Sequence, residues 1–239
     1  MKQMGILIDM GDTLIHNIDF DFKRSLTIMY NESLNKTVSL DTFLNYSLTI
    51  IKDVFSERNF IEIKLIDYLK QLIELFDLKY SVSVEDIELE FSKNVSKIEI
   101  IKDSVELLKY LKSKNYKIIV LSNTCMSKQA ILNTLEPFKE YLDDVIVSSD
   151  YCVRKPHFSF FDIGIKRMGI EKDDIYFIGN DFYYDIYGSN VVGIKAIWFN
   201  EKHLLPDNKY KNLKYIEVDS YESLMKKDIL WFWNLNVTF

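Results

Sequence analysis

The run Ile6-Leu7-Ile8-Asp9 limits what this chain can become more than any other stretch. Three consecutive apolar residues have the pattern of a short strand buried on both faces, and such strands belong to parallel sheets covered by helices. Asp9 follows at once, with Gly11 and Asp12 close behind. A carboxylate there lies on the carboxyl edge of a sheet, where open α/β folds bind their ligands. Aspartates after a strand also commonly start a turn, so the rest of the chain has to decide between the two uses.

Glycine and proline divide the chain. None of the 7 glycines lies between Asp12 and Asp162, and the first of the 3 prolines is Pro137. That interval is expected to be mostly helical, because tight turns use those residues. Apolar stripes predict helices over about 20–34, from a Ser39 N-cap through Phe55, over 61–76, and from a Ser83/Asp86 capping box through Phe91. Four amphipathic helices in a row make a small bundle, so residues 17–98 are expected to be a helical unit inserted after the first strand. Residues 1–16 and 99–239 would form the other unit.

From Lys102 helices and strands alternate. Strands are expected over 117–122, 144–148, 175–178, 194–199 and 215–218, with helices between them, including a short one over 185–191 and a last one from Ser220. This is the grammar of an α/β, Rossmann-like, doubly wound parallel sheet with right-handed crossovers. The stretch 231–235, which contains Trp231 and Trp233, is expected to be a docked terminal segment or, alternatively, an exposed contact patch.

Composition excludes several roles. With 48% hydrophobic and 14% aromatic residues the chain can bury a sizeable core. A net charge of −6, with both signs mixed along the sequence, argues against nucleic acid or an anionic membrane as partner. No apolar run approaches the ~20 residues that cross a bilayer. Only Cys125 and Cys152 are present, without metal-site spacing, so a reducing cytoplasm is expected, with both thiols acting as small hydrophobes. His157 and His203 show no ligand spacing either.

The polar residues that interrupt the apolar pattern all fall at strand ends. Asp9 follows the first strand, Ser122 ends the second, Arg154-Lys155-Pro156 lies after the third, and Gly179-Asn180-Asp181 with Asp185 follows the fourth. Four distant segments therefore converge on one rim. Two carboxylates ~4 Å apart repel by ~4 kcal/mol at an effective dielectric of ~20, so a cation is needed among Asp9, Asp181 and Asp185. Lys155 would neutralise one charge. The carboxylates with the Gly11 carbonyl are oxygen-only ligands, which suit Mg²⁺.

These residues, in this order, resemble the haloacid dehalogenase-like superfamily of hydrolases, and the resemblance spans nearly the whole chain. Its first motif is matched by Asp9-Met10-Gly11-Asp12-Thr13, its second by Ser122 with Asn123 beside it, its third by Lys155, and its fourth by Asp181 and Asp185. The inserted helices look like the family's cap. The resemblance implies a Mg²⁺-dependent phosphatase acting on a small phosphorylated metabolite. In it Asp9 attacks phosphorus to give an aspartyl-phosphate, and Asp9, Gly11 and Asp181 or Asp185 hold the metal. Gly11, Ser122, Asn123 and Lys155 would bind the phosphoryl oxygens, with Lys155 stabilising transition-state charge. A monomer or homodimer, with no nucleic-acid or membrane partner, is expected.

One position departs from the pattern. Phosphatases of this family carry an acid two residues after the nucleophile, and here that residue is Gly11. Asp12 is expected to take over as general acid if glycine lets the turn swing it inward. Two other readings follow from the same departure: a metal-independent 2-haloacid dehalogenase, whose halide leaves without a proton, and a ligand-binding protein with weak catalysis. Within the inserted helices Arg24 and Arg58 are candidates to pair with a second anionic group on the substrate. His16 stands next to the expected hinge.

Overall fold

The computed structural model describes residues 2–57, 59–210 and 212–226; Arg58 and the stretch 231–235 lie outside them. β1 (Met4–Ile8) carries Ile6, Leu7 and Ile8, all without solvent exposure. Ile6 and Ile8 pack into the layer that holds Leu107, Leu111 and Tyr221, whereas Leu7 packs into the opposite layer with Phe160 and Phe161. Burial on both faces is the physical reason this strand shows no polar alternation.

After β1 the chain turns tightly and runs up β2 (Ile15–Ile18) into α1 (Phe22–Glu32), α2 (Leu40–Glu57), α3 (Leu65–Leu75) and α4 (Val84–Val95), then returns along β3 (Lys97–Ile100). β2 and β3 pair antiparallel, Ile15 opposite Ile100 and Ile18 opposite Lys97. The boundaries expected at 16/17 and 98/99 thus fall inside a two-stranded ribbon. Its strands escape sequence reading because each has only four residues and β3 is exposed throughout.

The four helices bury a core of their own, built from Leu26, Phe43, Leu69, Leu72, Ile87 and Phe91 among others, with Cys125 contributed from outside. The Ser83/Asp86 capping box is present, and the Ser39 hydroxyl accepts from the Thr42 N–H at 3.2 Å. The helix expected over 61–76 begins only at Leu65. The residues before it run extended along the loop that follows the third parallel strand. Arg154 donates its N–H to the Phe60 carbonyl (3.0 Å), Ile61 bridges to Val153, and the Glu62 N–H donates to the Cys152 carbonyl (3.3 Å). These partners satisfy main-chain groups that a first helical turn would otherwise use.

The remainder alternates as expected: α5 (Ser104–Ser113), β4 (Tyr116–Ser122), α6 (Lys128–Thr134), β5 (Asp144–Val147), α7 (Phe158–Met168), β6 (Ile175–Gly179), α8 (Gly188–Val192), β7 (Lys195–Phe199), β8 (Tyr215–Val218) and α9 (Tyr221–Lys226). Six parallel strands form one sheet in the order β5-β4-β1-β6-β7-β8. From β1 the chain winds outward first through β4 and β5, then through β6, β7 and β8. The reversal occurs beside β1, so the carboxyl end of β1 is the topological switch point where such sheets bind ligands. The helix expected over 185–191 is instead a π-helical turn, Phe182–Tyr187, that runs into α8. Among the described residues no helix is long and apolar enough to cross a membrane.

Candidate active site

Asp9 stands one residue beyond β1, where its N–H extends the ladder to the Ile178 carbonyl of β6 at 2.9 Å. The side chain is nearly buried and both oxygens are engaged: Oδ1 lies 2.5 Å from Lys155 Nζ, and Oδ2 is 3.3 Å from the Thr13 hydroxyl. That hydroxyl is also 3.2 Å from Oδ1 of Asn180. Thr13 is held in turn by the fully buried Tyr221, whose hydroxyl donates to the Thr13 carbonyl. The turn is closed by the N–H groups of Thr13, Leu14 and Ile15, all directed at the Met10 carbonyl.

Lys155 is only 1% exposed and bridges two carboxylates, Asp9 at 2.5 Å and Asp185 at 2.7 Å. Burial alone would lower its pKa, but the charges of Asp185 and Asp9 outweigh burial and hold it above the ordinary value. Burial pushes the Asp185 carboxyl up to about 7; Lys155 opposes that rise and Asp9 adds to it. A buried group of this kind depends on all its members, because removing one leaves an uncompensated charge. Asp185 Oδ2 accepts from the Asp181 N–H at 3.0 Å and packs so close to Gly179 that a Cβ there would stand 2.4 Å from it. A side chain at residue 179 is thereby excluded.

Asp181 serves first as the cap of the π-helical turn, with Oδ1 accepting from the N–H groups of Tyr183 and Tyr184 at 2.8 and 2.7 Å. Ser122 ends β4 and is buried, and its hydroxyl makes no hydrogen bond among the described residues. A cavity of about 390 Å³ gathers Asp9, Gly11, Ser122, Asn123, Lys155, Asp181 and Asp185. Its other wall comes from the inserted unit, with Asn17, Phe20, Phe22, Phe55, Ser92 and Ile98. Residues from all four strand ends therefore meet at one place.

Residues 18–199 match the family described as haloacid dehalogenase-like hydrolase. The chain belongs to the haloacid dehalogenase-like hydrolases. Among curated relatives, a glyceraldehyde 3-phosphate phosphatase of Methanocaldococcus jannaschii is 26% identical over 225 residues, 91% of either chain. A pyrimidine 5'-nucleotidase of Streptococcus pneumoniae is 29% identical over 121 residues, half of either chain. Among solved structures, a haloacid dehalogenase-like phosphatase from Thermococcus onnurineus superposes with a TM-score of 0.60 at 22% identity, over 95% of this chain and 97% of the other. A 2-haloacid dehalogenase from Pseudomonas syringae reaches a TM-score of 0.63 at 14% identity, over 97% and 99%. Both structural likenesses speak to the fold.

One expected assignment changes in this haloacid dehalogenase-like hydrolase, and two others gain partners. Asp12, expected as general acid, does not line the Asp9 cavity. Asp12, not Gly11, takes the left-handed backbone conformation (φ 51°), and its carboxylate meets His16 Nδ1 at 2.8 Å and Lys202 at 3.4 Å beside a separate small cavity. Burial would raise its pKa, but the His16 hydrogen bond and Lys202 outweigh it and hold the carboxyl low. Asn123, whose backbone amide is the group expected near the phosphoryl oxygens, uses its side-chain amide on the main chain of Lys155, accepting from its N–H at 2.8 Å and donating to its carbonyl at 3.1 Å. Asp185, expected as a metal ligand, has one oxygen on Lys155 and the other on the Asp181 N–H.

The donor set that remains still suits a hard cation. Among the described residues no three His, Cys, Asp or Glu side chains gather as a metal cluster. The Gly11 carbonyl, however, accepts no hydrogen bond among the described residues, and Asp181 keeps one oxygen without a partner there. With Asp9 these are two carboxylates and a carbonyl on one cavity, and Mg²⁺ is commonly held by one or two carboxylates with waters completing its octahedron.

Other residues become visible only in the fold. Thr13 and Tyr221 brace the turn that carries Asp9, and Asn180 reaches Thr13. Arg154 and Tyr184 enter the cavity lining. Thr13, Asn180 and Tyr184 lie inside the motifs without a role of their own being legible, Tyr221 carried no signal, and Arg154 stood beside Lys155 as an ordinary loop cation. Arg24 is a brace, not a free cation: it pairs with Asp19 at 2.8 Å and donates to the carbonyls of Asn94 and Asp19. His157 caps α7, accepting from the Ser159 N–H.

Proposed function

We propose that this chain is a Mg²⁺-dependent phosphatase that hydrolyses a monoester of a small metabolite through a phosphorylated Asp9. The observation that carries the reading is the pairing of the Asp9 carboxylate with the buried Lys155 ammonium in the lining of a cavity that Ser122 also lines. Asp9 attacks phosphorus, the bond from phosphorus to the ester oxygen breaks, and its electron pair leaves with that oxygen, which takes a proton from solvent. Water then attacks phosphorus, the bond from phosphorus to the Asp9 oxygen breaks to regenerate the carboxylate, and the attacking water's proton passes to solvent as inorganic phosphate leaves. Lys155 and the Ser122 hydroxyl hold the phosphoryl oxygens and stabilise the charge that grows on them. Asp9, Asp181 and the Gly11 carbonyl would hold Mg²⁺, which when bound screens carboxylate from phosphoryl group.

Residues 17–98 act as the cap that excludes water and faces the leaving group, with Phe20, Phe22 and Phe55 as its apolar wall. Relatives that act on glyceraldehyde 3-phosphate and on pyrimidine nucleotides support a substrate of metabolite size. A second reading, metal-independent dehalogenation, draws on Gly11 and on the outward course of Asp12, since neither places an acid beside a leaving oxygen. The two separate in one assay. Phosphate release from p-nitrophenyl phosphate that needs Mg²⁺, stops with EDTA and is lost in Asp9→Asn supports the phosphatase; chloride release from 2-chloropropionate in EDTA, without phosphatase activity, overturns it.

A further inference from the structure

We propose that Arg154 is a specificity-determining residue that binds a second anionic group, a carboxylate or another phosphate, on the substrate whose phosphoryl group is transferred at Asp9. The inference rests on the phosphatase reading and adds the chemical class of the substrate. Arg154 lines the same cavity as Asp9, Ser122 and Lys155, yet it is only 8% exposed. A guanidinium so deeply buried is costly unless its donors are paired. Here they are not. Its Nε has no hydrogen-bond partner, and the nearest carboxylate oxygen, on Glu62, stands off at 3.8 Å. Glu62 is occupied elsewhere, accepting from the Ser148 hydroxyl at 2.9 Å and from the Ile63 N–H at 3.2 Å. The terminal amino groups of Arg154 make no hydrogen bond among the described residues.

The side chain is nonetheless fixed in place. Its guanidinium lies over the Tyr184 ring, 5.4 Å from the centroid, and its main chain is tied to Phe60 and His157. A planar fork of donors held rigidly beside a cavity is suited to bidentate recognition of a carboxylate or phosphate. Lys155 and Arg24 do not compete for that role: Lys155, between Asp9 and Asp185, serves the transferred phosphoryl group, and Arg24 is paired with Asp19. Were Arg154 present only to neutralise Glu62, the fork would meet that carboxylate within hydrogen-bond distance.

The test uses matched esters that differ in the second anion: 3-phosphoglycerate against glycerol 3-phosphate, and fructose 1,6-bisphosphate against fructose 6-phosphate. The wild-type chain should favour the second-anion member of at least one pair by roughly 10- to 100-fold in kcat/KM, mostly through KM. Arg154→Gln should bring that ratio close to one, and Arg154→Lys, which keeps the charge without the fork, should retain part of it. Absence of any preference in the wild type, or an equal loss on both members in the variant, overturns the inference and leaves Arg154 a structural partner of Glu62. If no ester in the panel is turned over, the phosphatase reading fails. Thermal shifts of Asp9→Asn, with and without Arg154→Gln, measured against the same pairs, then decide Arg154 separately. Should Arg154→Gln not fold, Arg154→Lys decides: a reduced preference supports the inference, and an unchanged preference overturns it.

Discussion

Asn123 grips the main chain of Lys155 at both ends, accepting from its N–H and donating to its carbonyl, at 2.8 and 3.1 Å. The residue after the second strand thus sets where the ammonium between Asp9 and Asp185 can stand. Asn123→Ala should lower kcat by roughly 10- to 100-fold, the usual scale for loss of an orienting partner. Two hydrogen bonds lost should also cost about 1–3 kcal/mol of stability. Steady-state kinetics and urea unfolding check both, and an unchanged kcat would show that Lys155 holds its place without Asn123.

Gly179 is a position where a methyl group has no room. Its Cβ would meet Asp185 Oδ2 at 2.4 Å and Cγ at 2.5 Å. Gly179→Ala should push Asp185 away from Lys155, destabilise the fold by about 1–3 kcal/mol, as overpacking does, and reduce turnover. Thermal unfolding and a p-nitrophenyl phosphate assay are the readouts.

Gly11 is the opposite case. A Cβ there meets nothing closer than the Asn17 amide at 3.7 Å, so a side chain fits toward the cavity. Gly11→Asp should raise turnover of alkyl phosphates by up to ~10²-fold, the lower range for general acid catalysis, and help p-nitrophenyl phosphate less because its leaving group needs no proton. Asp12→Asn, whose carboxylate faces His16 and Lys202, should change kcat less than twofold. A large loss in Asp12→Asn would place the proton donor where this geometry does not.

Asp144 provides a pH test away from the site. Burial would raise its pKa, but Lys128 at 2.6 Å, the Val145 N–H at 2.8 Å and Arg167 at 3.2 Å hold the carboxyl below its ordinary value. A folded-state pKa below the unfolded one contributes stability above the ordinary carboxylate range and loses it as pH falls through the folded value. Asp144→Asn should therefore cost about 0.5–1 kcal/mol at neutral pH. The gap should close in acid below about pH 3.8, read by urea unfolding across pH.

Most of the sheet was legible because burial on two faces leaves uninterrupted apolar runs, as in Ile6-Leu7-Ile8, and the capping box at Ser83 and Asp86 is a local signal for a local structure. The ribbon of β2 and β3 was not, since its pairing is set by where the inserted helices enter and leave, not by its own side chains. The same division holds at the site. Asp9, Ser122, Lys155 and Asp181 fall at strand ends that sequence spacing reveals. Whether Asp12 faces inward depends on which residue of the turn adopts the left-handed conformation, and Asn123 has its partner in a loop far along the chain. Glu62 lies in a stretch whose apolar spacing reads as helix, while its extended course follows from the main chain around Cys152 and Val153.

The extended stretch before α3 bears on how anything reaches Asp9. The inserted helices are joined to the sheet through the β2–β3 crossing and also through main-chain bonds from Arg154 to Phe60, from Glu62 to Cys152 and from Leu65 to Cys125, with Glu88 accepting from the Ser127 N–H. A swing about the ribbon must break these latches together, at a net ~1 kcal/mol each. Were the inserted unit to open as the proposed cap, a ligand would enter only by undoing a whole seam at once, and loosening any one fastener should make that entry faster and less selective.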